Sequence, residues 1–157
     1  MRSARVGPTV RHSIVATGML VMSSCWGGSP DNLGKRSGNL APCPSTPNCV
    51  HTGMRYPDGT ERMQIRDSVL RRDVMSGLRA AAEAIPRSRI VTETQHYLHM
   101  EVRSKVFRFV DDVELLLAPD HELIVRSASR VGRGDFGVNA ARVAELRQIL
   151  DEAGLLR

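Results

Sequence analysis

The hydrophobic period of this chain changes twice, and that change narrows the folds open to it more than any other feature. From Asp67, read as an N-cap, apolar residues fall at Leu70, Val74, Leu78, Ala81, Ala82 and Ile85, every three or four positions, until Pro86 stops the pattern. That spacing predicts an amphipathic helix. The period then drops to two. Arg89 to Thr94 reads as a short strand, and Tyr97 to Ser104 alternates Leu98, Met100 and Val102 against Tyr97, His99, Glu101 and Arg103. Phe109 to Leu117 places Val113, Leu115 and Leu117 opposite Asp112 and Glu114, and Glu122 to Ser129 follows a turn at Pro119-Asp120. A helical period returns after Asn139, read as the cap of a last helix with Val143, Leu146, Ile149 and Leu150 inward, ending near Gly154. Ahead of the first helix lie a Pro-punctuated loop, Leu40 to His51, and a turn at Pro57-Asp58-Gly59. The short links between strands predict an α+β fold: an antiparallel meander of about four strands, both helices packed on one face, the other face partly polar.

The segment before this domain has a different chemistry. Arg2, Arg5, Arg11 and His12 precede an apolar run from Ser13 to Met22, and residues 1–24 hold no acidic residue. A run of roughly ten apolar residues suits a signal-peptide core and is too short to span a bilayer. It ends in Met22-Ser23-Ser24-Cys25, which resembles a bacterial lipobox, with small residues before a cysteine whose thiol takes a diacylglycerol. The expectation is a signal peptide over 1–24, a lipidated Cys25 with a flexible Gly/Ser/Pro/Asn-rich tether over 25–39, and a domain over 40–157. A plain secretory cleavage near Ser24 and an uncleaved anchor are the alternatives. Such a protein would be exported and membrane-anchored, facing the periplasm or the exterior, on the outer membrane in a Gram-negative host.

This reading also disposes of the basic charge. The chain carries 22 Lys+Arg against 17 Asp+Glu, a net +5, but without residues 1–24 the balance is 19 to 17, or +2. An excess that sits mostly in a segment read as removed weakens the case for a folded basic face, so no nucleic-acid partner is expected.

Three motifs carry possible chemistry. Cys43 and Cys49, an even pair once Cys25 is set aside, are expected to form a disulfide in an oxidising compartment. The alternatives are a metal site that adds His51, for which Cys-x5-Cys-x-His is not a common zinc spacing, and a catalytic thiol. No metal or cofactor is expected. Gly132-Arg133-Gly134-Asp135-Phe136-Gly137 fits G-x-G-x-x-G between a strand and a helix. A dinucleotide fold needs a further parallel strand after that helix, so the glycines are read as permitting a tight turn with positive φ. The embedded Arg-Gly-Asp is read as coincidence.

The third motif is a polar constellation. In a meander, Glu101 and Arg103, Asp112 and Glu114, Arg126 and Arg130 share one sheet face, with Ser127, Ser129 and Asp135 near its rim and the helix at Asn139 close by. Asp112, Glu114, Arg126, Ser127, Ser129, Arg130, Asp135 and Asn139 are the candidate ligand-binding residues, for a small polar or anionic ligand. The competing reading is a solvated face stitched by cross-strand ion pairs. An enzyme using Asp112 or Glu114 as acid/base, with Arg126 and Arg130 holding an anionic substrate, is the rival from another class. No catalytic set is assignable from spacing, and His51, His96, His99 and His121 are read as surface or packing residues. A partner protein in an envelope complex is a third possibility.

Several of these blocks occur together elsewhere. Cys43-Pro44-x-x-Pro47-Asn48-Cys49-Val50, Tyr97-Leu98-His99, Phe109-Val110-Asp111-Asp112-Val113-Glu114, Val125 to Gly132, and Asp135-Phe136-Gly137-Val138-Asn139-x-x-Arg142-Val143 resemble, in order and over about residues 40–150, the domain of unknown function 1499 family. The resemblance implies a small exported, lipid-anchored or membrane-associated protein. It implies interest in Asp111, Asp112, Glu114, Arg126, Ser127, Ser129, Arg130, Asp135 and Asn139 as motif positions, and it carries no reaction.

Overall fold

A computed structural model describes residues 28–53 and 62–157. The segment read as a signal peptide, Cys25 and the turn expected at Pro57-Asp58-Gly59 lie outside the described residues. The elements in chain order are β1 (Cys49–His51), β2 (Met63–Gln64), α1 (Arg71–Ala84), β3 (Ser88–Glu93), β4 (Tyr97–Arg103), β5 (Val110–Leu117), β6 (Glu122–Ser129) and α2 (Val138–Glu152). The fold is α+β, with an antiparallel sheet in the order β1-β6-β5-β4-β3 and with β2 also paired to β6. Among the described residues no helix is long and apolar enough to cross a membrane.

Among the described residues the sheet has six strands, against about four expected. The two additions are only three and two residues long and carry no alternation of their own. Pairing with β6 creates them: Cys49 to His51 lie against Ala128 to Arg126, and Met63 and Gln64 against Leu123 and Glu122. Together they cover what would otherwise be an open sheet edge, whose unpaired N–H and C=O groups are a liability. β6 is therefore a central strand, buried at every position except Ser129.

Alternation sorts the sheet into two faces. Leu98, Met100, Val102, Val113, Leu115, Leu117, Leu123 and Val125 join one buried cluster with Val74, Met75, Leu78, Ala81 and Ala82 of α1 and Val143, Leu146 and Leu150 of α2. Gly77 lies in the middle of α1 because a Cβ there would collide with the Leu155 side chain. Gly154, with φ +69°, closes α2 where the C-terminal signal was read.

Two helix caps differ from expectation. Asp67 does not cap α1, which begins after Leu70; its carboxylate pairs instead with Arg157, and a backbone bond from Val69 N to Arg66 O makes a separate turn. Asn139 lies inside α2, and the cap role falls to Asp135, whose carboxylate accepts from Gly137 N at 3.0 Å and Asn139 N at 2.8 Å.

Candidate functional site

The second sheet face is polar but not solvated. Every residue of β5 is buried, Glu114 completely and Asp112 to 1% exposure. The cover comes from the segment before β1: Leu40 packs with Leu116, Ala118 and Ile124 and against Tyr97, and Gly34 N donates to Glu114 Oε1 at 2.7 Å. One end of this cover is fixed by the expected disulfide, Cys43–Cys49, with its Cα atoms 5.6 Å apart. Its sulfurs are thereby unavailable as metal ligands or as a catalytic thiol. Replacing both cysteines with serine should cost about 2 kcal/mol through lost loop closure alone, measurable as a lower denaturation midpoint.

Burying three carboxylates is tolerable only because cations reach them. Register puts Glu114 directly opposite both Arg126 and His99, and Glu101 directly opposite Asp112. Arg126 Nη1 donates to Glu114 Oε2 at 2.8 Å, and Tyr97 Oη donates to Oε1 at 2.9 Å. The like-charged pair Glu101 and Asp112 would repel across the strands. Arg130 resolves this by bonding Asp112 twice, Nε to Oδ2 and Nη2 to Oδ1, while Nη2 also reaches Glu101 Oε1, each at 2.8 Å. His99 Nε2 contacts Asp112 Oδ1 at 2.8 Å, and Arg89 and Arg103 reach Glu101 from the rim.

These contacts set the protonation states. Burial pushes the Asp112 carboxyl up, but bonds from Arg130 and His99 outweigh it and hold it below its ordinary range. Glu101 is likewise raised by burial and lowered further by Arg130 and Arg89. Tyr97 is pushed up by burial and by the Glu114 charge, so its hydroxyl stays a donor. A carboxylate so firmly ionised is a poor proton donor at neutral pH, so Asp112 is not built as a general acid although it is buried at a cleft.

Burial, then the Arg126 charge, lowers the pKa of His51 from 6.5, so the unfolded chain takes up that proton first. Asp112, Glu101 and Asp135 are held below ordinary values of 3.8, 4.5 and 3.8. For each group the stabilisation is present above the unfolded pKa and lost as pH falls toward the folded one. Denaturation midpoints should therefore decline first below pH 6.5, then more steeply below 4.5, and be flat just above neutrality.

The structure divides the sequence-derived candidates between the two faces. Asp112, Glu114, Arg126 and Arg130 come together with Glu101 and Arg103 as the alternation implied. Ser127 and Ser129 point the other way and meet α2. Asn139 accepts from Ser127 Oγ at 2.6 Å and donates to Ser129 Oγ and Asn48 O, both at 3.0 Å. Arg142 donates to Ser127 Oγ at 3.0 Å, Asn139 Oδ1 at 2.7 Å and Asp111 Oδ2 at 2.8 Å. This second network bolts the first turn of α2 to the sheet. Asp111 and Arg142 were not among the ligand-binding candidates, although Arg142 falls on the inward stripe of α2 with Asn139, Val143, Leu146 and Leu150, where an arginine needs a carboxylate.

The glycine motif is a turn, as read. Gly132 and Gly137 have φ of +87° and +79°, Phe136 shares the left-handed region, and the strand before them is antiparallel to its neighbours.

Where the disulfide loop meets the polar face there is a cleft of about 440 Å³ lined by Pro30, Asn32, Pro42, Cys43, Pro44, Asn48, Cys49, Asp112, Arg126, Ala128, Ser129 and Arg130. Two of the lining residues each carry a buried polar atom without a partner among the described residues: the Arg126 Nε–H donor and the Asn32 Oδ1 acceptor. An unpaired buried donor is costly, and native proteins rarely keep one without a use. Sequence reasoning could select Arg126 but not Asn32, which lay in the presumed tether.

Comparison with known proteins gives one positive result. A search of curated proteins finds no match. The model of a family described as a protein of unknown function, DUF1499, matches residues 39–150. That match spans both polar networks, the disulfide and most of α2, and the chain therefore belongs to the DUF1499 family.

Proposed function

We propose that this protein is an exported, lipid-anchored component of a cell envelope whose domain binds a small polar ligand in the cleft beside the Cys43–Cys49 loop. The observation that carries the binding reading is the unpartnered Nε–H of Arg126, an arginine only 3% exposed, in the lining of that cleft. Both cleft arginines are already neutralised by carboxylates. The cleft therefore favours a group offering an acceptor oxygen to Arg126 and a donor to Asn32, such as a hydroxyl or amide, or an acidic group in its protonated form. A fully ionised anion gains less there, which narrows the polar-or-anionic expectation.

The anchoring reading is supported by the basic start, the short apolar run and Met22-Ser23-Ser24-Cys25. Mass spectrometry of the mature N-terminus should find diacylglycerol on Cys25, and Cys25→Ala should abolish it; an unmodified cysteine would refute the anchor. For the cleft, arginine side-chain resonances should be followed by NMR during titration with sugars, amides and organic acids. A shift of the Arg126 Nε–H signal with that of Arg142 unmoved is expected. Absence of any shift across these classes contradicts the binding reading.

A further inference from the structure

The chain's three phenylalanines, Phe107, Phe109 and Phe136, are all exposed. In a soluble domain phenylalanine is among the residues most often buried. Six of the eight large apolar residues exposed among the described residues fall in two segments, the β4–β5 loop at 104–109 and 131–138, the β6–α2 loop with the first residue of α2. Both loops leave the same end of the sheet: Arg103 pairs with Val110, Asp111 pairs with Ser129, and Arg130 N bonds Val110 O. Phe107, 74% exposed, stacks on Phe109 with ring centroids 5.5 Å apart, which gives the β4–β5 tip a preformed apolar edge.

The same end is cationic. Lys105 and Arg108 lie within the tip, which has no acidic residue; Arg133 lies in the second loop and Arg87 enters β3 beside Arg103. The one carboxylate in these loops, Asp135, is occupied by the amides of Gly137 and Asn139. Aromatic rings interleaved with solvent-facing Lys and Arg match the chemistry of a bilayer interface, where rings sit at headgroup level and cations meet lipid phosphates. Among the described residues the opposite end of the sheet offers no such combination, with Leu70 its exposed large apolar residue.

We propose that this end of the domain rests on an anionic lipid bilayer, with Phe107, Phe109 and Phe136 in the headgroup layer and Lys105, Arg108 and Arg133 on the phosphates. The inference extends the anchored reading and rests on it for the nearness of a membrane. Pro30 lines the cleft beside Ser129 and Arg130, hence toward this same end, and Cys25 lies five residues earlier. Covalent geometry limits that span to about 18 Å. A diacylglyceryl anchor holds the chain to the bilayer through two acyl chains but leaves the domain's orientation free, and a basic aromatic patch would fix which end faces the surface.

The test uses the full chain with its single tryptophan removed, Trp26→Phe, and a reporter indole introduced by Phe107→Trp. Vesicles of phosphatidylglycerol and phosphatidylcholine with brominated acyl chains should quench the position-107 indole and shift its emission to the blue, and pure phosphatidylcholine should do so far less. An indole introduced at the opposite end by Leu70→Trp should remain unquenched. Lys105→Glu with Arg108→Glu should weaken partitioning of the tip by at least about tenfold, as should raised salt. Co-sedimentation of that double variant reports N-terminal attachment separately. If it still sediments while the parent's position-107 indole is unquenched, docking is refuted and the anchor stands. If it no longer sediments while the parent's indole is quenched, docking stands and the anchor is refuted. Quenching equal at positions 107 and 70, or a blue shift without vesicles that grows with protein concentration, overturns the proposal; the latter would mean a second copy covers the patch.

Discussion

Arg126→Ala should lower the free energy of unfolding by about 3–5 kcal/mol, a drop in the thermal midpoint on the order of 10 °C. The reason is less the attraction lost than the charge left behind. Glu114 is fully buried, and its other partners, the Tyr97 hydroxyl and the Gly34 amide, are neutral donors. Without the guanidinium its carboxylate is left as an uncompensated buried charge. Arg126→Ala combined with Glu114→Gln should recover much of the loss, because an amide can keep an acceptor for Tyr97 and Gly34 without a net charge. Equal destabilisation by the single and double variants in a denaturant series would show that Arg126 acts through packing rather than through this pair.

The effect of Arg130→Ala should be comparable, about 3–5 kcal/mol, but with a different pH signature. Arg130 separates Glu101 from Asp112, which face each other across β4 and β5. Its removal takes away the cation both carboxylates share and leaves only His99 on Asp112 and the rim arginines Arg89 and Arg103 on Glu101, so repulsion and burial should lift at least one of the two above its ordinary pKa. A group with a raised folded pKa gains stability as pH falls, so the Arg130→Ala variant should become more stable between neutral pH and about 5, where the parent declines. Glu101→Gln in the same chain should remove that inversion. A parallel pH dependence in parent and variant would indicate that the carboxylates are hydrated and not coupled.

Much of this arrangement was legible from the sequence because it follows from periodicity. Once Leu98, Met100 and Val102 are assigned inward, His99 and Glu101 must share the opposite face, and the same parity places Asp112, Glu114 and Arg126 there. Parity also separates Ser127 and Ser129 from Arg126, so their place against α2 was available from the alternation and was missed by grouping residues near in sequence. β1 and β2 were not legible, since strands of two or three residues exist only through the partner that pairs with them. Nor was the burial of the polar face. It depends on Leu40 and Gly34 folding back across β5, a long-range contact with no local pattern, and on Gly- and Ser-rich residues that read as tether. Asp67 and Asn139 have the chemistry of helix caps, but Asp67 is engaged by Arg157 and Asn139 by the serines of β6, so tertiary partners outweighed local propensity.

The division into two polar networks bears on how the domain would work. The Asn139–Arg142–Asp111 network is internally paired and holds α2 in place. In the Arg126–Glu114 and Arg130–Asp112–Glu101 network each carboxylate has an arginine partner, while one donor of Arg126, a residue that lines the cleft, has none among the described residues. That asymmetry makes the cleft the place to look for a ligand.

The most direct test of this account is ligand-linked stability of the oxidised chain, screened against sugars, cell-wall fragments, amides, organic acids and lipid headgroups, with Arg126→Lys alongside. Lysine keeps a cation for Glu114 but has no Nε–H to offer from the same position. A ligand present at 100 times its dissociation constant should stabilise the parent by about 2.7 kcal/mol, and Arg126→Lys should lose most of that gain while remaining folded. A stabilisation that is equal in parent and variant, or none from any class, would contradict the assignment of this cleft as the binding site.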